Sequence, residues 1–250
     1  MKLPDEIRNL CEALLKGLKK VLGDNLYGVY LYGALAFPEG GATGDIDFHV
    51  ILKEELDQKE KSNLKELHAA LARDFPPLGA ELDGYYILLD DARRPSPPKH
   101  QILDDVYDHS WALHREHIRA GRCIVLYGPD PKLIYPAASW QELEDALRGE
   151  MEYVKNHLNE CPDYCILNLC RLMYSFETHD VVISKIASAK WASDAFPQWR
   201  RHIKLAEKSY ARQATDQDKQ FMRNELGSLY HFALERIQES QLNGEPDKSL

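Results

Sequence analysis

Two short runs constrain the fold most. Residues 26–33 (LYGVYLYG) and 45–52 (DIDFHVIL) are dense in aromatic and branched apolar side chains, the composition of buried β-strands. Between them, ALAFPEGGATG holds several glycines and a proline and reads as a loop. Ahead of the first run, Ile7, Leu10, Leu14, Leu15, Leu18 and Leu22 recur at helical spacing over 4–22. Asp5 and Glu6 sit at the favourable positive end of that helix, and Gly23-Asp24-Asn25 stops it. A charged amphipathic helix fits 55–74, ended by Pro76-Pro77. ELDGYYILL (81–89) supplies a third strand, RRPSPPKH (93–100) a surface loop, 101–120 a helix, and CIVLYG (123–128) a fourth strand. Residues 1–135 are therefore expected to form an α/β (α+β) domain built on a mixed sheet.

Strand signals stop near residue 135. Ser139 and Glu142 make a capping box before a helix running to about 159. Helical spacing then returns over 163–178, 184–194, 198–211 and 216–239. Residues 136–250 read as an all-α helical bundle with a frayed tail, NGEPDKSL.

The 250 residues carry a formal net charge of −9, which argues against a nucleic-acid partner, since such proteins usually present a basic face. It is compatible with a cationic substrate, because acidic clefts concentrate cations. No apolar run approaches the roughly 20 residues that span a bilayer, so no membrane association is expected. Charges run through the N-terminal apolar stripe, unlike a secretory signal. Five cysteines without framework spacing suit a reducing compartment, and a cytoplasmic location is expected. The sequence carries no signal for an oligomeric state.

Chemistry is concentrated at Asp45-Ile46-Asp47. Residues i and i+2 of a strand share a face, so the two carboxylates stand side by side while Ile46 turns to the core. Carboxylates held that close repel unless a cation lies between them. Mg²⁺ suits the place, since it takes oxygen ligands, often one or two carboxylates plus substrate phosphates. Gly33, closing the first strand, lets backbone amides approach phosphate oxygens. Asp83, with Glu81 on the same face of the third strand, adds a further carboxylate to a plausible phosphoryl- or nucleotidyl-transfer site.

The stretch LYGALAFPEGGATGDIDFHV resembles the streptomycin/spectinomycin (aminoglycoside) adenylyltransferases of the polymerase-β-type nucleotidyltransferase superfamily. Their pattern is Leu-Tyr-Gly-Ser, a loop, then Asp-Ile-Asp. The likeness continues through LDGYYILLDD, IVLYGPDP and LNLCRLMYS. It implies transfer of AMP from ATP, the co-substrate, to a hydroxyl of a small polar acceptor, with an aminoglycoside first in line and antibiotic resistance as the associated role. Asp45 and Asp47 would hold Mg²⁺, and Asp83 falls on the family's glutamate base. Gly33 and Ala34 fall on the phosphate-binding turn, and Arg171, Lys185 and Tyr210 on nucleotide-contacting positions. Tyr107 falls near an aromatic that packs on the aminoglycoside, and Asp163 close to an acidic residue that meets it. The site is expected between the two domains.

The departures are Ala34 and Gly44 where the family has serines, with Thr43 a possible substitute, and Asp83 in place of glutamate. A lost serine contact costs on the order of 1–3 kcal/mol. Two alternatives remain beside the leading reading. One is a protein-modifying nucleotidyltransferase of toxin–antitoxin type, and the other a catalytically silent nucleotide-binding homologue.

Other features read as structural. His157, Cys161 and Cys165 are spaced by four, but Pro162 interrupts them and a fourth zinc ligand is not evident, so helix-end packing is expected. His109, His114 and His117 read as a solvated or partly packed helix face, with Trp111 in the core. Arg93, Arg94 and the Glu/Lys run 53–66 read as surface charge.

Overall fold

The computed structural model describes residues 3–39 and 45–244. The chain falls into two compact units, Met1–Ser139 and Trp140–Leu250.

In the first unit, helix α1 (Asp5–Leu22) buries Ile7, Leu10, Cys11, Leu14, Leu18 and Leu22, the stripe expected from its spacing but with Cys11 in place of Leu15. Strands β1 (Leu26–Leu31) and β2 (Ile46–Leu52) pair antiparallel. Helix α2 (Gln58–Asp74) then carries the chain over to β3 (Leu82–Leu88), which runs parallel to β2. A parallel neighbour needs such a crossover, whereas an antiparallel one is reached by a turn. Strand β4 (Ile124–Tyr127) adds antiparallel to β1, giving a mixed sheet of order β3-β2-β1-β4. The capping box of Asp57 and Glu60 sets the start of α2, three residues later than the apolar pattern suggests.

Alternation along the strands divides the sheet between two cores. Val29, Leu31, Phe48, Val50 and Leu52 pack with α1 and α2. Tyr30, Tyr32, Ile51 and Ile87 face the other way, toward Trp111, Ile118 and Tyr135. Each fully buried large apolar side chain contributes about 1.5–3 kcal/mol.

The stretch 101–120 corrects the sequence reading. A single turn, α3 (Leu89–Ala92), follows β3, and helix α4 covers only Trp111–Arg119. The preceding residues form a loop fastened to β3. Gln101 N donates to Tyr86 O at 2.8 Å, and His100 Nε2 pairs with Gly84 O at 3.0 Å. His100 Nδ1 accepts from the amides of Ile102 and Leu103 at 2.9 and 3.0 Å. These side-chain bonds take amides that a helix would use, and Asp105 adopts φ 58°. Glu81 also departs from expectation. It ends a 3-10 turn, Leu78–Glu81, so strand alternation does not place it beside Asp83.

The second unit is helical: α5 (Trp140–His157), α6 (Pro162–Thr178), α7 (Lys185–Ala195), α8 (Arg200–Tyr210) and α9 (Asp216–Gly244). Helix α6 is its axis. Residues Cys165–Cys170 are all buried because α5, α7, α8 and α9 pack around it, and a helix apolar on most sides needs such enclosure. Ser184 caps α7 by accepting from Ala187 N at 3.0 Å. The thiols of Cys161 and Cys165 lie 3.7 and 3.5 Å from the His157 carbonyl, which is helix-end packing. Among the described residues, no helix is long and apolar enough to cross a membrane.

Candidate active site

The acidic residues gather at one end of the parallel strand pair. Asp47 on β2 and Asp83 on β3 are register partners, on strands about 4.8 Å apart. Asp45 lies one residue ahead of β2 and is exposed, Asp47 is half-buried, and Asp83 is exposed. Even so, the Asp83 carboxyl is raised above its ordinary value, first by lost hydration and then by the charge of Asp45. His114 opposes this rise and Asp108 adds to it. All of these groups therefore act on one site.

Gly33 opens a 3-10 turn, Gly33–Ala36, directly after β1. Its φ is +67°, and a Cβ built there would overlap Asp47 Oδ2. Tyr32 N donates to Asp47 O at 3.0 Å. Glycine is required here both for its backbone conformation and for the space the carboxylate occupies. Ala34 is half-buried in the same turn. Gly44 and Thr43 lie outside the described residues.

Beneath the acids is a layer that the sequence reading missed. Asp45, Asp47 and His49 alternate toward one face, and His49 is fully buried. Its Nδ1 lies 3.2 Å from Tyr135 Oη, and its Nε2 is 3.9 Å from Asp108 Oδ2. Asp108 Oδ2 in turn lies 2.8 Å from His114 Nδ1, and Asp108 Oδ1 accepts from Ser110 N. The Tyr32 ring bridges the histidines, with centroids 4.4 Å from His49 and 4.8 Å from His114.

Burial drives the His49 imidazole down to about 3, against the pull of Asp108. Burial alone would raise Asp108, but His114, His49 and the Ser110 amide outweigh it and hold the carboxyl low. The expectation of a solvated or partly packed face for 109, 114 and 117 fits His109 and His114 and needs correction at His117. His109 is exposed, His117 is buried, and His114 belongs to this cluster. Continuing the strand alternation from Asp47 to His49 is the signal that could have found it.

The helical unit assembles its own polar group around Tyr164. The Lys185 ammonium, at the start of α7, stands 4.2 Å from the Tyr164 ring centroid. Burial raises the Tyr164 hydroxyl, Glu150 adds to this, and Arg171 opposes it. Arg171 pairs with Glu150 at 3.6 Å, and Glu150 also accepts from Asn168 at 2.9 Å. Asp163, in the first turn of α6, accepts from Ser209 Oγ at 2.6 Å, next to Tyr210 at the end of α8. Asp163 and Ser209 line a cavity of about 430 Å³ together with Arg212, Lys219 and Arg223. Tyr107 is exposed on the loop before α4, bridged to Lys99.

A mixed sheet with facing carboxylates beside a glycine turn, followed by a helical unit, defines a nucleotidyltransferase-type architecture. Residues 134–236 match the family model "Aminoglycoside adenylyltransferase, C-terminal domain". The chain is 23% identical over 217 residues to the spectinomycin 9-adenylyltransferase of Enterococcus faecalis, covering 78% of this chain and 84% of that protein. It is 22% identical over 238 residues to the Staphylococcus aureus protein of the same name, covering 84% of this chain and 88% of the other. Its fold matches the crystal structure of the E. faecalis spectinomycin adenyltransferase AAD(9) with ATP and spectinomycin. The TM-score there is 0.74 at 18% identity, covering 92% of this chain and 99% of that one. The chain is thus an aminoglycoside adenylyltransferase-like protein, in line with the resemblance read from its motifs.

Proposed function

We propose that this protein transfers AMP from ATP to a hydroxyl of an aminoglycoside-class acceptor in a Mg²⁺-dependent reaction. The observation behind this reading is the register pairing of Asp47 with Asp83 beside Gly33. The relatives, which bear the name spectinomycin 9-adenylyltransferase, support both the reaction and the acceptor class.

The donor set suits Mg²⁺: Asp45 and Asp47 offer only carboxylate oxygens, and the glycine leaves room for phosphate beside them. Once bound, that ion would neutralise phosphate charge and polarise the α-phosphate. Asp83 takes the proton from the acceptor hydroxyl. Its raised carboxyl is better matched to this than an ordinary aspartate, since a base works best with a pKa nearer the working pH. The acceptor oxygen then bonds to the α-phosphorus as the bond to the bridging oxygen breaks and pyrophosphate leaves. Arg171 and Lys185 counter the triphosphate charge as it shifts, and Gly33, Ala34 and Tyr210 contact the nucleotide. Tyr107 and Asp163 meet the acceptor. All five cysteines are free, which supports a reducing, cytoplasmic setting.

The test is pyrophosphate release with ATP and Mg²⁺ across an aminoglycoside panel, with Asp83→Asn as the control. Acceptor-dependent release that Asp83→Asn abolishes is expected. ATP binding without release would redirect the search to a protein hydroxyl or to a silent nucleotide-binding homologue, and loss of both would overturn the reading.

A further inference from the structure

Among the described residues, His49, Asp108 and His114 form a group whose metal-ligating atoms all lie within 4.8 Å of one another. We propose that these three side chains are a second cation site, for a borderline divalent transition ion such as Zn²⁺. It is distinct in place and chemistry from the all-oxygen pair Asp45 and Asp47. The inference stands independently of the proposed transferase activity.

Three observations support it. The first is an unsatisfied atom. His49 is fully buried, and among the described residues its Nε2 has no hydrogen-bond partner. The 3.9 Å from that atom to Asp108 Oδ2 is too long for a hydrogen bond but suits two ligands of one ion. With metal–ligand bonds of about 2.0–2.2 Å, ligand atoms in a tetrahedron stand about 3.4 Å apart. The edges of 3.9 and 2.8 Å bracket that spacing and need small side-chain rotations to reach it.

The second is orientation. Tyr135 Oη at 3.2 Å from His49 Nδ1 can accept the ring proton, leaving the Nε2 lone pair directed at the group. Partners of this kind commonly fix the tautomer of a metal-binding histidine. Asp108 uses Oδ1 for the Ser110 amide and presents Oδ2 to both rings. For His114 to ligate through Nδ1, its proton shifts to Nε2 or leaves.

The third is access. The His114 side chain is 26% exposed, which gives an ion a way in and leaves a fourth position for water. Imidazole nitrogens prefer zinc-like ions over Mg²⁺, so the two sites would select different metals. An ion here ties β2, the loop bearing Asp108 and α4 into one floor beneath Asp47 and Asp83.

The experiment uses the full chain, stripped with a chelator and titrated with Co²⁺ in excess Mg²⁺, by calorimetry and visible absorption. We expect one Co²⁺ per chain with the intense bands of a four-coordinate ion. Asp47→Asn should retain it, while His114→Ala and Asp108→Asn each weaken it at least tenfold. Thermal melts check that the variants fold. If Asp108→Asn does not fold, the partly exposed His114→Ala decides alone. Absence of saturable binding in the wild type would overturn the proposal. So would binding lost in Asp47→Asn and kept in His114→Ala, which would assign the ion to the acid pair.

Discussion

The Asp47 carboxylate lies against the Cα of Gly33, in the space where a side chain at 33 would stand. The turn and the proposed metal ligand are thereby fitted to one another. Strand β2 cannot present Asp47 in this position unless the residue closing β1 lacks a Cβ. Gly33→Ala combines that overlap with a left-handed backbone at φ +67°, worth about 1–2 kcal/mol for a non-glycine residue. We expect a loss of kcat/KM of at least about tenfold, with a fall in Tm of a few degrees. Pyrophosphate release and thermal melts measure the two effects. Wild-type kcat/KM in a folded Gly33→Ala would remove Asp47 from the catalytic arrangement.

A complementary gain is expected one residue along. Ala34 occupies the turn position where the resembling family carries serine, and it is half-buried. A hydroxyl there could reach a phosphate oxygen, and one such bond contributes about 0.5–1.5 kcal/mol, or roughly two- to tenfold in affinity. Calorimetry of Ala34→Ser should show tighter ATP binding in that range. Unchanged affinity would mean the turn amides already suffice.

The pH dependence of turnover should report Asp83. As a base it works only when deprotonated, and its carboxyl lies above 3.8 through lost hydration and then Asp45. Activity should therefore fall on acidification at a pH above that of an ordinary aspartate. Asp83→Glu should keep measurable turnover, and Asp83→Asn should lose it while still binding ATP. Persistent turnover in Asp83→Asn would assign the proton to another group.

How much of this was legible follows from which interactions are local. The runs at 26–33 and 45–52 declared β1 and β2 because their composition is that of buried strands. The α1 stripe matched its buried set except at Leu15, which is partly buried, and Cys11, which is buried though not in the stripe. Asp45, Asp47 and Asp83 were readable because two of them obey strand alternation and the third lies in the next strand. The loop before α4 was not readable, because His100 shapes it by bonding to Gly84 and to two nearby amides. The cluster of His49, Asp108 and His114 was hidden for a related reason. His49 is remote in sequence from Asp108 and His114, and they meet only once the loop is fastened to β3. Glu81 failed by a single residue, since the 3-10 turn ends where the strand was expected to begin.

Lys185 offers a clean test of the helical unit. Its ammonium stands 4.2 Å from the Tyr164 ring centroid. Lys185→Met keeps an apolar stem against the ring. If this lysine counters triphosphate charge, the KM for ATP should rise about tenfold with the fold intact, as expected when a binding contact is lost. Steady-state kinetics with varied ATP give the answer. An unchanged KM would leave Lys185 a packing residue.

Histidines should govern stability in mild acid. His49, His68, His100 and His202 are all held below 6.5, each chiefly by burial. At His100 the geometry supplies a reason beyond burial. Nδ1 accepts two amides, so protonating the ring would break both bonds and free the loop bearing Asp108. Below pH 6.5 the unfolded chain binds protons that the folded chain refuses, so stability is full above 6.5 and lost as pH falls toward the folded values. For His49 that window runs from 6.5 to about 3. Urea midpoints at pH 7.5, 6 and 5 should decline steadily, above the range where most carboxylates titrate. His100→Gln can still donate to Gly84 O and does not titrate, so its decline should be shallower than wild type. Equal slopes for the two proteins would show that the His100 ring is protonated as readily in the folded chain as in the unfolded one.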